Sequence, residues 1–77
     1  MDELLAHLAR QLVAHPDQVR VDQSESESGD LLLELHVAQE DLGKVIGKQG
    51  RIARALRTIV KAAAVRSGRR VHVDIAE

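Results

Sequence analysis

Gly47-Lys48-Gln49-Gly50 is the stretch whose residue types and spacing best suit chemistry, and that chemistry is the holding of an anion. A glycine can adopt the left-handed backbone that ends a helix, so Gly47 is expected to close a helix before it. Without a side chain at either glycine, a sugar-phosphate backbone can lie directly against the main chain. A helix starting near Gly50 adds free amides and a partial positive charge. Lys48 adds a full charge, and Gln49 offers both a donor and an acceptor, so it can meet a phosphate or sugar oxygen without fixing sequence. A bare GxxG is also an ordinary helix-to-helix turn, so its surroundings decide between the two readings.

Competing motifs fail on their details. Gly43-x-x-x-Gly47-Lys48 approximates a P-loop, but three residues separate its glycines where four are needed, and Gln49 stands where a Ser or Thr would hold magnesium. Gly43 is read instead as a close-packing position. The same spacing lacks the apolar 20-residue setting of a membrane helix contact. His36 and His72 fall on the polar side of strands, and His7 and His15 on the first helix, without metal-site spacing; all are read as surface residues, and no metal or cofactor is expected. No Ser-His-Asp or paired-carboxylate arrangement stands out and cysteine is absent, so no catalytic residue is assigned and the chain is not read as an enzyme.

The elements around the loop follow from hydrophobic spacing. Leu5, Leu8 and Leu12 recur at helical spacing from Asp2 to about His15, where Pro16 stops the helix. Val19 to Asp22 alternates as a half-buried strand, and Ser24 to Asp30 is a polar turn. In Leu31 to Val37 the odd positions are apolar, which makes a second strand and a hairpin. A short helix follows from Gln39 to Ile46, then the glycine loop, then a helix from Arg51 to Arg66 with Ile52, Leu56, Ile59, Val60 and Ala63 inward. Arg51, Arg54, Arg57 and Lys61 fall on its opposite side as a basic face. Ser67-Gly68 ends that helix, and Val71, Val73 and Ile75 alternate in a last strand. The order is αββααβ: an α+β domain with a three-stranded sheet and three helices packed on one face.

At 77 residues the chain is read as one domain, residues 1–77, with one core built from Leu, Ile, Val and Ala because Phe, Tyr and Trp are absent. So small a domain buries only about 60% of its unfolded surface, which makes self-association an expected source of stability. No apolar run approaches a membrane span and Met1-Asp2-Glu3 opens on acids, so the chain is read as cytoplasmic, without membrane contact. The net charge of −1 hides a separation. Through Asp41 the acids face only Arg10 and Arg20, whereas from Leu42 onward Lys and Arg face only Asp74 and Glu77. A polyanion is drawn to one end of such a molecule.

Val45-Ile46-Gly47-Lys48-Gln49-Gly50 between two short amphipathic helices resembles the loop of the KH domain, which clamps about four nucleotides of single strand. A helix and strand placed before the strand-helix-GxxG-helix-strand unit, Leu31 to Ile75, resemble the type II arrangement. Asp41 to Arg51, the length and the acidic first helix are similar to the small single-KH bacterial proteins of the KhpA type. That resemblance implies RNA contact by Ile46, Gly47, Lys48, Gln49, Gly50, Arg51, Ile52, Arg54, Arg69 and Arg70. Ile46 and Ile52 would form an apolar floor for bases, while Arg66, Arg69 and Arg70 would flank the groove between loop and sheet edge. Ala53 stands where many KH domains carry a branched apolar residue. The resemblance also implies a homodimer, a possible heteromer with a larger KhpB-type protein, and a post-transcriptional or RNA-chaperone role. The alternative is a dimerisation module of a cell-shape or cell-division regulator with incidental RNA binding, for which Val65, near the basic side of its helix, is the one feature.

Overall fold

Alternation along Leu31-Leu32-Leu33-Glu34-Leu35-His36 decides where the core lies. Leu31, Leu33 and Leu35 are buried, while Glu34 is exposed and Leu32 and His36 half-buried. In the computed structural model, which describes residues 1–77, this strand is the centre of a three-stranded sheet. The helices are α1 (Asp2–Arg10), α2 (Leu42–Ile46) and α3 (Arg51–Ala64), and the strands β1 (Arg20–Glu25), β2 (Leu31–His36) and β3 (Val71–Ile75). β1 runs antiparallel to β2 as a hairpin, and β3 lies parallel to β2 on its other side. The αββααβ order and the α+β architecture expected from the sequence are those observed.

On the inner face Val71, Val73 and Ile75 lie beside the leucines of β2. Leu5 and Ala9 of α1, Val45 of α2 and Leu56, Val60 and Ala64 of α3 close over them, all buried. The core is aliphatic throughout. No helix is long and apolar enough to cross a membrane.

Gly43, read as a close-packing position, is exposed with nothing within 4 Å of where its Cβ would be, and the helix expected from Gln39 begins at Leu42 after a single 3-10 turn. Four further details differ from expectation. β1 extends to Glu25, because its pairing continues through Ser24–Leu32 and Glu25–Leu31 until the Ser26 N–H donates to the Asp30 carbonyl at 2.9 Å. Ile59 of α3, expected inward, is 45% exposed, because the buried stripe is centred on Leu56 and Val60. Arg57, expected on an exposed basic face, is half-buried, its Nε donating to the Val73 carbonyl at 3.1 Å.

The fourth detail positions the loop. α1 ends at Arg10 instead of near His15, and the chain after it turns toward α2. Pro16 keeps His15 out of the helical conformation, and Asp41, at the start of α2, replaces the helix as hydrogen-bond acceptor. Its carboxylate is fully buried and accepts the Ala14 N–H at 3.1 Å and the His15 N–H at 3.0 Å, with Lys44 Nζ 3.4 Å away. α2 has only five residues, too few to hold itself, so this clasp and buried Val45 fix it to the domain.

Burial alone would raise the Asp41 carboxyl, but the two amides and the Lys44 ammonium outweigh it and hold the carboxyl below its ordinary value. The ionised clasp therefore contributes fully above the unfolded carboxylate value of about 4, and its contribution fades as pH falls through the lower folded value. Asp41→Asn is expected to lower the melting temperature at pH 7, and the gap from the parent should narrow steadily below about pH 4. Thermal melts followed by circular dichroism across that range check it; a gap independent of pH contradicts the clasp.

Candidate nucleic-acid interface

α2 delivers the glycine loop to the surface. The Gly47 N–H donates to the Gly43 carbonyl at 2.9 Å and closes the helix. Gly47 then adopts φ +76° and ψ 172°, a region that only glycine enters readily. Its φ is positive as expected, but its ψ is extended, so the chain leaves α2 without another helical residue. A Cβ at this position would stand 2.6 Å from Ile52 Cγ1 and 2.9 Å from the Ile52 amide nitrogen. The glycine is thus demanded from inside, by the first turn of α3.

Lys48 and Gln49 are exposed, and Gly47 and Gly50 half-buried. Gln49 (φ +59°) and Gly50 (φ +73°) are both left-handed, and the Gly50 N–H reaches back to the Gly47 carbonyl at 3.1 Å. No hydrogen bond within the chain uses the N–H of Lys48 or Gln49. Nothing lies within 4 Å of where a Gly50 Cβ would be. Arg51 Nη2 donates to Gln49 Oε1 at 3.4 Å, which sets a guanidinium beside the loop at the positive end of α3. The result is a short stretch of main chain with two free donors, a side-chain-free rim and two neighbouring cations, Lys48 and Arg51.

α3 presents three different flanks. Ala53, Leu56, Val60 and Ala64 are buried against the sheet. On one side Arg54, Arg57 and Lys61 recur at helical spacing toward the free edge of β3, where Arg57 holds the Val73 carbonyl and Lys61 lines a groove with Arg69, Arg70, Val71 and His72. On the other side Ile52 and Ile59, with Arg51 at the rim, line an apolar groove with Leu8 of α1 and Leu12 just beyond that helix.

The residues singled out in the sequence therefore fall into three groups. Lys48, Gln49, Gly50 and Arg51 come together at the loop, with half-buried Ile46 just before it. Arg54 lies on the β3-side flank. Arg69 and Arg70 continue that flank at the far end of α3, about 20 Å from the loop along a 14-residue helix, and Arg69 is held there by Glu25 Oε1 at 2.7 Å and the Gly29 carbonyl at 3.2 Å. Ile52 lies half-buried on the α1 side of α3 and packs under Gly47. Sequence reasoning counted Arg57 and Lys61 as part of a basic face without seeing that they border the β3 edge. Only the three-dimensional placement of β3 shows it.

A family model described as KhpA/KhpB, KH domain, matches residues 2–75. The RNA-binding protein KhpA of Clostridium acetobutylicum is 55% identical over 75 residues, 97% of this chain and 99% of that protein. Those of Treponema pallidum (53% over 74 residues, 96% and 91% covered) and Bacillus subtilis (45% over 75 residues, 97% and 91% covered) are similarly close. Among solved structures, Era in complex with MgGDPNP and a segment of 16S ribosomal RNA aligns with a TM-score of 0.62 at 18% identity, over 96% of this chain and 28% of that one, a likeness of fold. With the loop, the element order and nearly its full length matched, the chain belongs to the KhpA/KhpB family of KH-domain proteins.

Proposed function

We propose that the chain binds single-stranded RNA by laying a phosphodiester backbone over residues 47–50. The observation that carries this reading is the pair of free N–H groups at Lys48 and Gln49, exposed beside a glycine whose missing side chain leaves the surface open. Lys48 and Arg51 supply charge, and Ile46 offers an apolar surface to a base. About four nucleotides suffice for such a loop. From there the strand follows Arg54 and Lys61 along the free edge of β3, and a longer one reaches Arg69 and Arg70. The role is that of a cytoplasmic RNA-binding regulator or chaperone, in keeping with relatives named as RNA-binding proteins.

A second element of the reading concerns self-association. Leu12 is 38% and Ile59 45% exposed, and they line the same apolar groove between α1 and α3. We propose that a second KH domain covers this groove, another copy of the chain or a larger KhpB-type protein. It lies on the flank of α3 away from Arg54 and Lys61, with Arg51 at its rim, so pairing leaves the β3-edge lane open and raises effective concentration. Val65, 75% exposed on the other side, is not part of it.

Three variants test these statements. Changing Lys48 and Gln49 together to Asp is expected to weaken binding to a short single-stranded RNA by roughly 10- to 100-fold, the worth of one or more charge-assisted hydrogen bonds, with an unchanged circular dichroism spectrum; parental affinity would remove the assignment. The log-log salt slope, about −0.7 per phosphate contacted, should become shallower by about one contact. Gly50→Ala is expected to cost about 1–2 kcal/mol of stability from its left-handed backbone yet to lose more in RNA affinity, because its methyl group occupies the open side. Ile59→Glu should shift the chain to a monomer by sedimentation, and a dimer that persists places the interface elsewhere.

A further inference from the structure

The open face of the sheet carries groups that the RNA interface does not use. Register sets Asp22 opposite Glu34 and Arg20 opposite His36 on β1 and β2, and sets Asp74 of β3 beside Glu34. His36 Nε2 lies 3.0 Å from Asp22 Oδ2 and 2.9 Å from Glu34 Oε1. One ring nitrogen carries at most one proton, so it cannot give each oxygen a full hydrogen bond. The three atoms all lie within 4.8 Å of one another.

Those spacings have a chemical meaning. A first-row divalent ion in octahedral coordination holds nitrogen and oxygen ligands at about 2.1 Å, which sets adjacent ligands about 3.0 Å apart. A tetrahedral ion would need about 3.4 Å. Both nitrogen-to-oxygen distances fit the octahedral edge, and equally an ordinary hydrogen bond in the absence of an ion. We propose that His36, Asp22 and Glu34 form a site for a six-coordinate first-row divalent transition-metal ion. The imidazole selects such an ion over calcium or magnesium, which prefer oxygen alone. The ligands stand on two paired strands, one of them the central strand of the sheet, so their backbone positions are fixed. Arg20 grips that carboxylate through both oxygens, Nε 3.2 Å from Oδ1 and Nη2 3.4 Å from Oδ2, so an ion at Oδ2 shares that oxygen with the guanidinium. The ion would also relieve repulsion along the row of Asp22, Glu34 and Asp74. Three coordination positions remain for water or for a donor brought by a partner. Spacing in the sequence hides the set, since Asp22 comes from a different strand.

Nickel chloride titrated into tag-free protein and followed by calorimetry tests the proposal. One ion per chain is expected, with a rise in melting temperature. His36→Gln and Glu34→Gln should each weaken binding by about 10- to 100-fold or more, while His72→Gln, on the same face but paired with Asp30 at 3.0 Å, should leave it unchanged. Manganese should broaden amide resonances around residues 20–24 and 32–36. Absence of binding by the parent, parental affinity in His36→Gln, or broadening centred elsewhere overturns it.

Discussion

A Cβ on residue 47 would collide with Ile52 at 2.6 Å, so the chain can fold back from α2 into α3 at this distance only through glycine. That contact fixes the angle between the two helices and forces the following residues into left-handed turns at Gln49 and Gly50. Those turns leave the amides of Lys48 and Gln49 without partners inside the chain. The open main-chain surface is therefore a consequence of close packing beneath it. The two glycines do different work: Gly47 satisfies an interior contact, and Gly50 keeps the outer rim bare.

The same economy of parts recurs in α3, where one helix divides its circumference among three tasks. Its small and branched residues seal the aliphatic core, its cations border the free edge of β3, and Ile52 and Ile59 remain on an apolar flank. The width of the helix separates the cations Arg54 and Lys61 from the apolar flank. Just ahead of α2, buried Asp41 ties this five-residue helix to the segment after α1 and so keeps the loop in register with the sheet.

Periodicity alone disclosed the element order and the hairpin, because alternating leucines in β2 and helical spacing in α1 and α3 are strong local signals. The glycine loop was legible from its setting between two amphipathic stretches. What stayed hidden depended on contacts between distant segments. The early end of α1 needs the Asp41 carboxylate, 26 and 27 residues from the amides it accepts. Arg57 reads as a solvent-facing cation until β3 supplies the Val73 carbonyl. Ile52 reads as one of an inward stripe until its packing under Gly47 and its place on the α1 side are seen. In each case the local pattern permits two orientations, and tertiary packing selects one.

Amide chemical shifts of nitrogen-15-labelled protein, recorded while a short single-stranded oligouridine is added, test the central claim most directly. The account predicts that the largest and earliest changes fall on the N–H groups of Lys48 and Gln49, with smaller ones along Arg54 and Lys61. Changes centred on the open sheet face or on the α1–α3 groove, with the two loop amides unmoved, would contradict it.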